Sequence, residues 1–174
     1  MNTSLFLFIN NFAGRSSFLD SLMVFCAEYL MYVMILVVLG YAIWGYRRWR
    51  DMALVAIGSA IVARFGLTTL IRYFYYHPRP YLVITQTHLL LARETESSFP
   101  SGHTIFTFAL ATGVYRYNKK AGLWFYVSAC LVGFARVYAG VHWPYDIVAG
   151  AVLGIFTAMI CDWIFRKYKH VIGL

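Results

Sequence analysis

An all-α integral membrane protein is what this sequence predicts: a bundle of about five transmembrane helices preceded by an N-terminal interfacial segment. Three observations lead there. Of 174 residues, 61% are hydrophobic and only 13% are charged, about half the charged fraction usual in soluble domains. Mean hydropathy is +0.64. The apolar residues fall in runs near the length of about 20 residues that a helix needs to cross a bilayer, and each run stops at a short polar or proline-bearing turn. Composition does not divide the chain, so residues 1–174 read as a single membrane-embedded domain.

The first apolar stretch, Met1 to Ala13, is interrupted by Asn10 and Asn11 and closed by Gly14. It is too short to cross and is expected to lie along the interface. Without a basic region before the apolar stretch or a cleavage site, it reads as retained and not as a removed signal. The first span runs from about Phe18 to Trp44 and stops at the basic loop around Arg47, Arg48 and Arg50. The second covers about Met52 to Tyr76 and ends at His77-Pro78-Arg79-Pro80, where two prolines forbid further helix. Tyr81 to Pro100 is polar, with Arg93, Glu94 and Glu96, and its Leu89-Leu90-Leu91 patch is expected to rest on the bilayer surface. The third span starts near Ser101 and reaches Tyr115, and the fourth covers about Leu123 to Val141. After the His142-Trp143-Pro144 turn, with Pro144 suited to a first helical turn, the fifth runs from about Tyr145 to Phe165.

Alternating five spans puts Arg47, Arg48, Arg50, Arg116, Lys119, Lys120, Arg166, Lys167 and Lys169 on one side, nine of fifteen basic residues. That side is expected to be cytoplasmic. The net charge of +8 is thereby explained by topology, and nucleic acid is not an expected partner. Arg72, Arg79, Arg93, Arg136, His103 and His142 fall on the opposite, external or periplasmic side, against the usual bias.

Charged side chains at a bilayer are expensive and usually functional. Arg72, Arg79 and Arg136 can clamp the oxygens of a phosphate, for which planar guanidinium forks suit better than lysine. Ser101 and Gly102, at a helix start, can offer backbone N–H groups, and glycine lets the backbone come close. His142 and Asp146, four apart, share a helix face; a carboxylate on one imidazole nitrogen leaves the other free to attack. His103 has no such local partner and reads as the acid for a leaving oxygen.

The pattern Arg72-x6-Arg79-Pro80, Pro100-Ser101-Gly102-His103 and Arg136-x5-His142-x3-Asp146 resembles the three-part signature of the type 2 phosphatidic acid phosphatase superfamily. The resemblance implies His142 as a phosphohistidine-forming nucleophile, Asp146 as its support and His103 as acid. It also implies Arg72, Arg79, Ser101, Gly102 and Arg136 as phosphate ligands, with Pro80 in the motif and no metal or other cofactor. Arg72 stands where the family usually has lysine, and Ala135 where serine is frequent. The short chain and the stretch Phe18 to Tyr29 are similar to bacterial undecaprenyl-diphosphate phosphatases of the BcrC type. That likeness implies a multi-pass protein of the bacterial cytoplasmic membrane acting on a lipid phosphate at its outer face. Lipid A 1-phosphatase and phosphatidylglycerophosphate phosphatase share the signature. Outside the enzyme class, a ring of arginines would also suit an anion permease, and a non-catalytic lipid-binding scaffold is a third reading.

Other residues carry smaller expectations. Cys26, Cys130 and Cys161 lack metal-ligand spacing and read as small buried hydrophobes. Glu28 and Arg64, at similar depth in the first two spans, are expected to form an intramembrane ion pair. Tyr73, Phe74, Tyr75, Tyr76 and Tyr81 read as an aromatic belt, and His77, His88 and His170 as solvated or facing headgroups.

Overall fold

A computed structural model describes residues 2–45 and 47–169, the Arg48 side chain excepted; His170 lies outside the described residues. Every regular element among them is helical. Helix α1 (Asn2–Asn10) has nine residues, about 14 Å at 1.5 Å per residue, and does not reach across a bilayer. It packs against the bundle through Phe6, which is buried with Val137 and Trp143. Helix α2 (Ser17–Glu28) is started by Ser16, whose hydroxyl accepts the Leu19 N–H. At Tyr29 the chain bends by 51° into α3 (Leu30–Trp44). The expected first span is therefore a broken rod, and no proline or glycine marks the break.

Helix α4 (Arg47–Ile61) widens into a π-helical turn, Val62–Leu67, before α5 (Thr68–Phe74). Together they supply a 26-residue apolar rod from Trp49 to Phe74. Thr68 fits the wide turn by donating its backbone N–H and its hydroxyl to the Ala63 carbonyl. The chain is then extended through Pro78 to the four-residue helix α6 (Pro80–Val83), with Pro80 at its first position.

Helix α7 (Gly102–Tyr117) is the core of the molecule. Nearly all its side chains from Gly102 to Val114 are buried, enclosed by α4, α8 (Lys119–Tyr138) and α9 (Pro144–Tyr168). Its threonines suit this setting because their hydroxyls bond back to the helix, Thr107 to His103 O at 2.9 Å and Thr112 to Phe108 O at 2.8 Å. At Gly154 of α9 an added Cβ would overlap the Ile105 carbonyl, so that crossing requires glycine. Sixteen residues give α7 about 24 Å, short of the roughly 30 Å hydrocarbon core. It is tolerated at that depth because protein covers it. The α4–α5 rod, α8 and α9 are each long and apolar enough to cross, with the bent α2–α3 pair as a fourth. Exposed Trp44, Trp124, Phe156 and Trp163 clad the outside.

Three expectations are corrected. Leu90 and Leu91 are half-buried against the bundle, on the cluster that holds Met23, Ala27, Ala135 and Tyr138, and the Leu90 N–H donates to Ala139 O at 3.2 Å. Of the cysteines only Cys26 is buried; Cys130 is exposed and Cys161 partly so. Glu28 and Arg64 form no ion pair among the described residues. The chain breaks immediately after Glu28, and the π-helical turn carries Arg64 toward the start of α7, against Gly102.

Candidate active site

The ends of α5, α7, α8 and α9 meet at one end of the bundle, and the loop from Ile84 to Ser101 folds over them. Asn10 fixes that loop. Its side-chain amide donates to His88 O and Tyr138 O at 2.8 Å each, and its Oδ1 accepts the His88 N–H at 2.9 Å. A polar side chain read from sequence as an interruption is thus a buried staple between loop and α8.

Asp146, buried in the first turn of α9, receives the Trp143 N–H at 2.9 Å. The same carboxylate oxygen accepts the Ser98 hydroxyl and lies 3.4 Å from His142 Nδ1. Ser98 Oγ is 3.3 Å from that nitrogen. Because the Ser98 proton goes to Asp146, Ser98 Oγ is left to accept from Nδ1–H. This assigns the ring proton to Nδ1 and the lone pair to Nε2, which has no hydrogen-bond partner among the described residues. The His142 pKa is lowered well below 6.5, first by burial and then by the charges of Arg136, Arg79, Arg72 and His103. A neutral imidazole among guanidiniums results.

Arg79 is completely buried and uses every face of its guanidinium. Nε donates to Glu96 O at 3.0 Å, Nη1 to Val141 O at 3.0 Å and Nη2 to a Glu94 carboxylate oxygen. Pro80 behind it is buried at the start of α6 and offers no polar hydrogen. Arg136 donates Nη2 to the other Glu94 oxygen, so one carboxylate bridges the two arginines. Burial pushes the Glu94 pKa up, but Arg136 and Arg79 outweigh it and hold the group below 4.5. Arg72 pairs with Glu96 and donates to Pro100 O at 3.0 Å. The Nε–H groups of Arg72 and Arg136 are buried without partners among the described residues, donors still available to an anion.

Ser101 precedes the first turn of α7. Its N–H is already given to Asp146 O at 3.2 Å, and its hydroxyl accepts from Thr104 at 3.1 Å. Of the expected amide donors, those beyond Ser101 are the ones left for a ligand. Gly102 lets the guanidinium of Arg64 come up against the backbone at the start of α7, in the space a Cβ would take. The His103 ring makes no hydrogen bond among the described residues and lies within electrostatic reach of Glu94 and His142.

All nine expected site residues therefore gather at one end of the bundle. Sequence reasoning missed Ser98, which completes the His142–Asp146 contact. It also missed Tyr81, whose hydroxyl donates to Glu94 O at 2.6 Å and accepts the Glu94 N–H at 3.0 Å, pinning that residue in place. Tyr81 is a fixture of the site, not only part of a belt. His77, expected to be solvated, lies with Nδ1 3.9 Å from Asp146 and its ring against Tyr75 and Trp143. The one local signal was the serine-rich run Ser97-Ser98 just ahead of Pro100-Ser101. Among the described residues no group of three or more histidine, cysteine or carboxylate side chains is arranged around a metal position.

The chain is similar to several known membrane proteins. The chain is 31% identical to undecaprenyl-diphosphatase BcrC of Bacillus subtilis over 160 residues, covering 92% of this chain and 82% of that protein. It is also 31% identical to the bacitracin transport permease protein BcrC of Bacillus licheniformis, over 98% of this chain and 84% of that protein. The crystal structure of Aquifex aeolicus LpxE superposes with a TM-score of 0.78 at 32% identity, over 92% of this chain and 93% of that one. Residues 53–169 match the PAP2 superfamily. That match takes in every arginine, histidine and carboxylate of the cluster described above, and the chain belongs to the PAP2 superfamily.

Proposed function

We propose that this membrane lipid phosphatase removes the terminal phosphate of a polyprenyl diphosphate of the undecaprenyl type. The lipid phosphate enters sideways from the outer leaflet of a bacterial cytoplasmic membrane, and no metal takes part. The observation that carries the reading is the buried, neutral His142 ring, whose Nδ1 is held by Ser98 and Asp146 while Nε2 is left free among three arginines.

The terminal phosphate displaces Glu94 and takes its place between Arg79 and Arg136, with Arg72 nearby. Nε2 of His142 attacks phosphorus in line. An N–P bond forms as the bridging P–O bond breaks, and His103 gives its proton to the departing oxygen. Asp146 stabilises the imidazolium that results. Water then attacks the phosphohistidine, giving a proton to His103, and the N–P bond breaks to release inorganic phosphate. The guanidiniums act throughout by holding equatorial oxygens whose charge changes little in position.

The reading is supported by the undecaprenyl-diphosphatase named among the relatives. Its test is phosphate release by detergent-solubilised protein, with chelator present, assayed side by side on undecaprenyl diphosphate, lipid A and phosphatidylglycerophosphate. Undecaprenyl diphosphate should be preferred, vanadate should inhibit, and His142→Ala should abolish release together with any acid-labile phosphoprotein trapped from labelled substrate. Turnover by His142→Ala would overturn the nucleophile. Anion flux into liposomes that survives the same change would favour a permease.

A further inference from the structure

One arginine is left over. Arg64 sits within the 26-residue apolar rod from Trp49 to Phe74, where a guanidinium is expensive to keep. It belongs to the π-helical turn Val62–Leu67, a departure from α-helix that inserts a residue and recurs at functional sites. The widened turn lays its guanidinium against the first turn of α7, flat on Gly102. Arg72, Arg79 and Arg136 each have a carboxylate partner. Among the described residues, Arg64 has neither a hydrogen bond nor an ion pair, only the Phe65 ring 5.9 Å away.

Arg64 and Arg72 line one cavity of about 460 Å³ with Phe65, Tyr73 and Tyr76, and the Glu96 carboxylate that pairs with Arg72 lies on the same wall. Phe65 and Tyr73 on the rod and Tyr76 just beyond it are exposed, so the cavity has an aromatic outer rim and an inner wall with two guanidiniums, of which Glu96 offsets only that of Arg72. Arg72 belongs to both the cavity and the cluster around His142. The arrangement is a second anion position beside the first, on the path a lipid takes.

We infer that Arg64, with Arg72, binds the non-reacting phosphate of a lipid diphosphate while the terminal phosphate lies between Arg79 and Arg136. This rests on the lipid phosphatase reading and deepens it: Arg64 makes the site select two linked phosphates over one. The chain leaves over Phe65, Tyr73 and Tyr76. When the P–O bond breaks, the negative charge left on the lipid phosphate develops against Arg64, so its contribution grows along the reaction.

The test compares Arg64→Gln and Arg64→Lys with the unaltered protein in detergent. Rates are measured on farnesyl diphosphate and farnesyl monophosphate, which share one chain. Thermal unfolding is followed with methylenediphosphonate and with orthovanadate. A charge-assisted hydrogen bond contributes roughly 10- to 100-fold, so Arg64→Gln should lower the diphosphate-to-monophosphate ratio of kcat/KM by about that much, and Arg64→Lys by less. The same change should remove the thermal stabilisation by methylenediphosphonate while that by orthovanadate persists. Equal losses on both substrates, or undiminished stabilisation by methylenediphosphonate, would overturn the assignment. If the unaltered protein released no phosphate from any lipid, the enzymatic reading would fail, and the methylenediphosphonate measurement would still decide the role of Arg64.

Discussion

The two ends of the bundle solve the same electrostatic problem in opposite ways. At the end away from the site, Asp162 of α9 is fully buried and takes Arg116 and Arg166, whose side chains are 45% and 50% exposed. At the site end the burial is reversed: Arg79 and Arg136 are 0% and 1% exposed, and the Glu94 they share is 37% exposed. Arg72 and Glu96 repeat this at 10% and 66%. In the first arrangement a fixed anion holds cations that water could otherwise solvate. In the second, fixed cations hold anions carried on a loop. Buried guanidiniums are costly without an anion, and only the partner on the loop can exchange for another anion without dismantling a helix. One end is built to keep its partners, the other to change them.

The sharpest way to break this comparison is to remove one arginine from each end. Arg136→Ala should reduce phosphate release by roughly 100- to 1,000-fold, the scale of losing a preorganised charge from a reacting centre. Arg166→Ala should stay within about twofold, as exposed ion pairs contribute little. Comparable losses from the two variants, measured as kcat/KM in detergent, would erase the distinction. Asp162→Asn should do the converse, lowering stability by about 1–3 kcal/mol because two guanidiniums lose a buried acceptor. Denaturation in detergent should register it while catalytic rates per folded molecule hold.

How much of this was legible in the sequence follows from range. Residues whose role depends on neighbours along one helix were readable: His142 and Asp146 meet because they are four apart in the first turn of α9, and Ser101-Gly102-His103 open α7 as expected. Most of the spans were readable too, since apolar length is local, but the expected third, α7, is too short to cross by itself and the first is broken at Tyr29. What failed depends on the path of the chain. Glu94 reaches Arg136 across 42 positions and Ser98 reaches Asp146 across 48, and no periodicity specifies where a loop returns. Leu90 and Leu91 were misread for that reason. The Glu28–Arg64 pairing failed because regular helices were assumed, whereas a break after Glu28 and a π-helical turn around Arg64 alter both directions.

Glu94 itself sharpens the comparison with a smaller effect. As the anion already seated between Arg79 and Arg136, it competes with any phosphate that enters. Glu94→Gln keeps the shape, and Tyr81 still holds the backbone, but the competing charge is gone. Inhibition by orthovanadate should tighten by roughly 3- to 10-fold, the penalty lifted when the competent state no longer has to be released first. Weaker inhibition would mean that Glu94 orders the arginines more than it occupies their place.

The smallest signal lies in the pH dependence of stability without ligand. His142 has a folded pKa well below 6.5 through burial and the surrounding arginines, so the unfolded chain takes up its proton first on acidification. Its effect on stability is constant above about 6.5 and turns unfavourable as pH falls below that value. Glu94, held below 4.5 by Arg136 and Arg79 against the opposing effect of burial, stabilises the fold above about 4.5 and loses that contribution as pH drops through its lower folded value. Melting temperature should therefore be level above pH 6.5 and fall in two stages below it. His142→Gln should shrink the upper stage and Glu94→Gln the lower, whereas Arg166→Ala should leave both. If Arg166→Ala flattened either stage, the acid sensitivity would belong to the end of the bundle that is built to keep its partners.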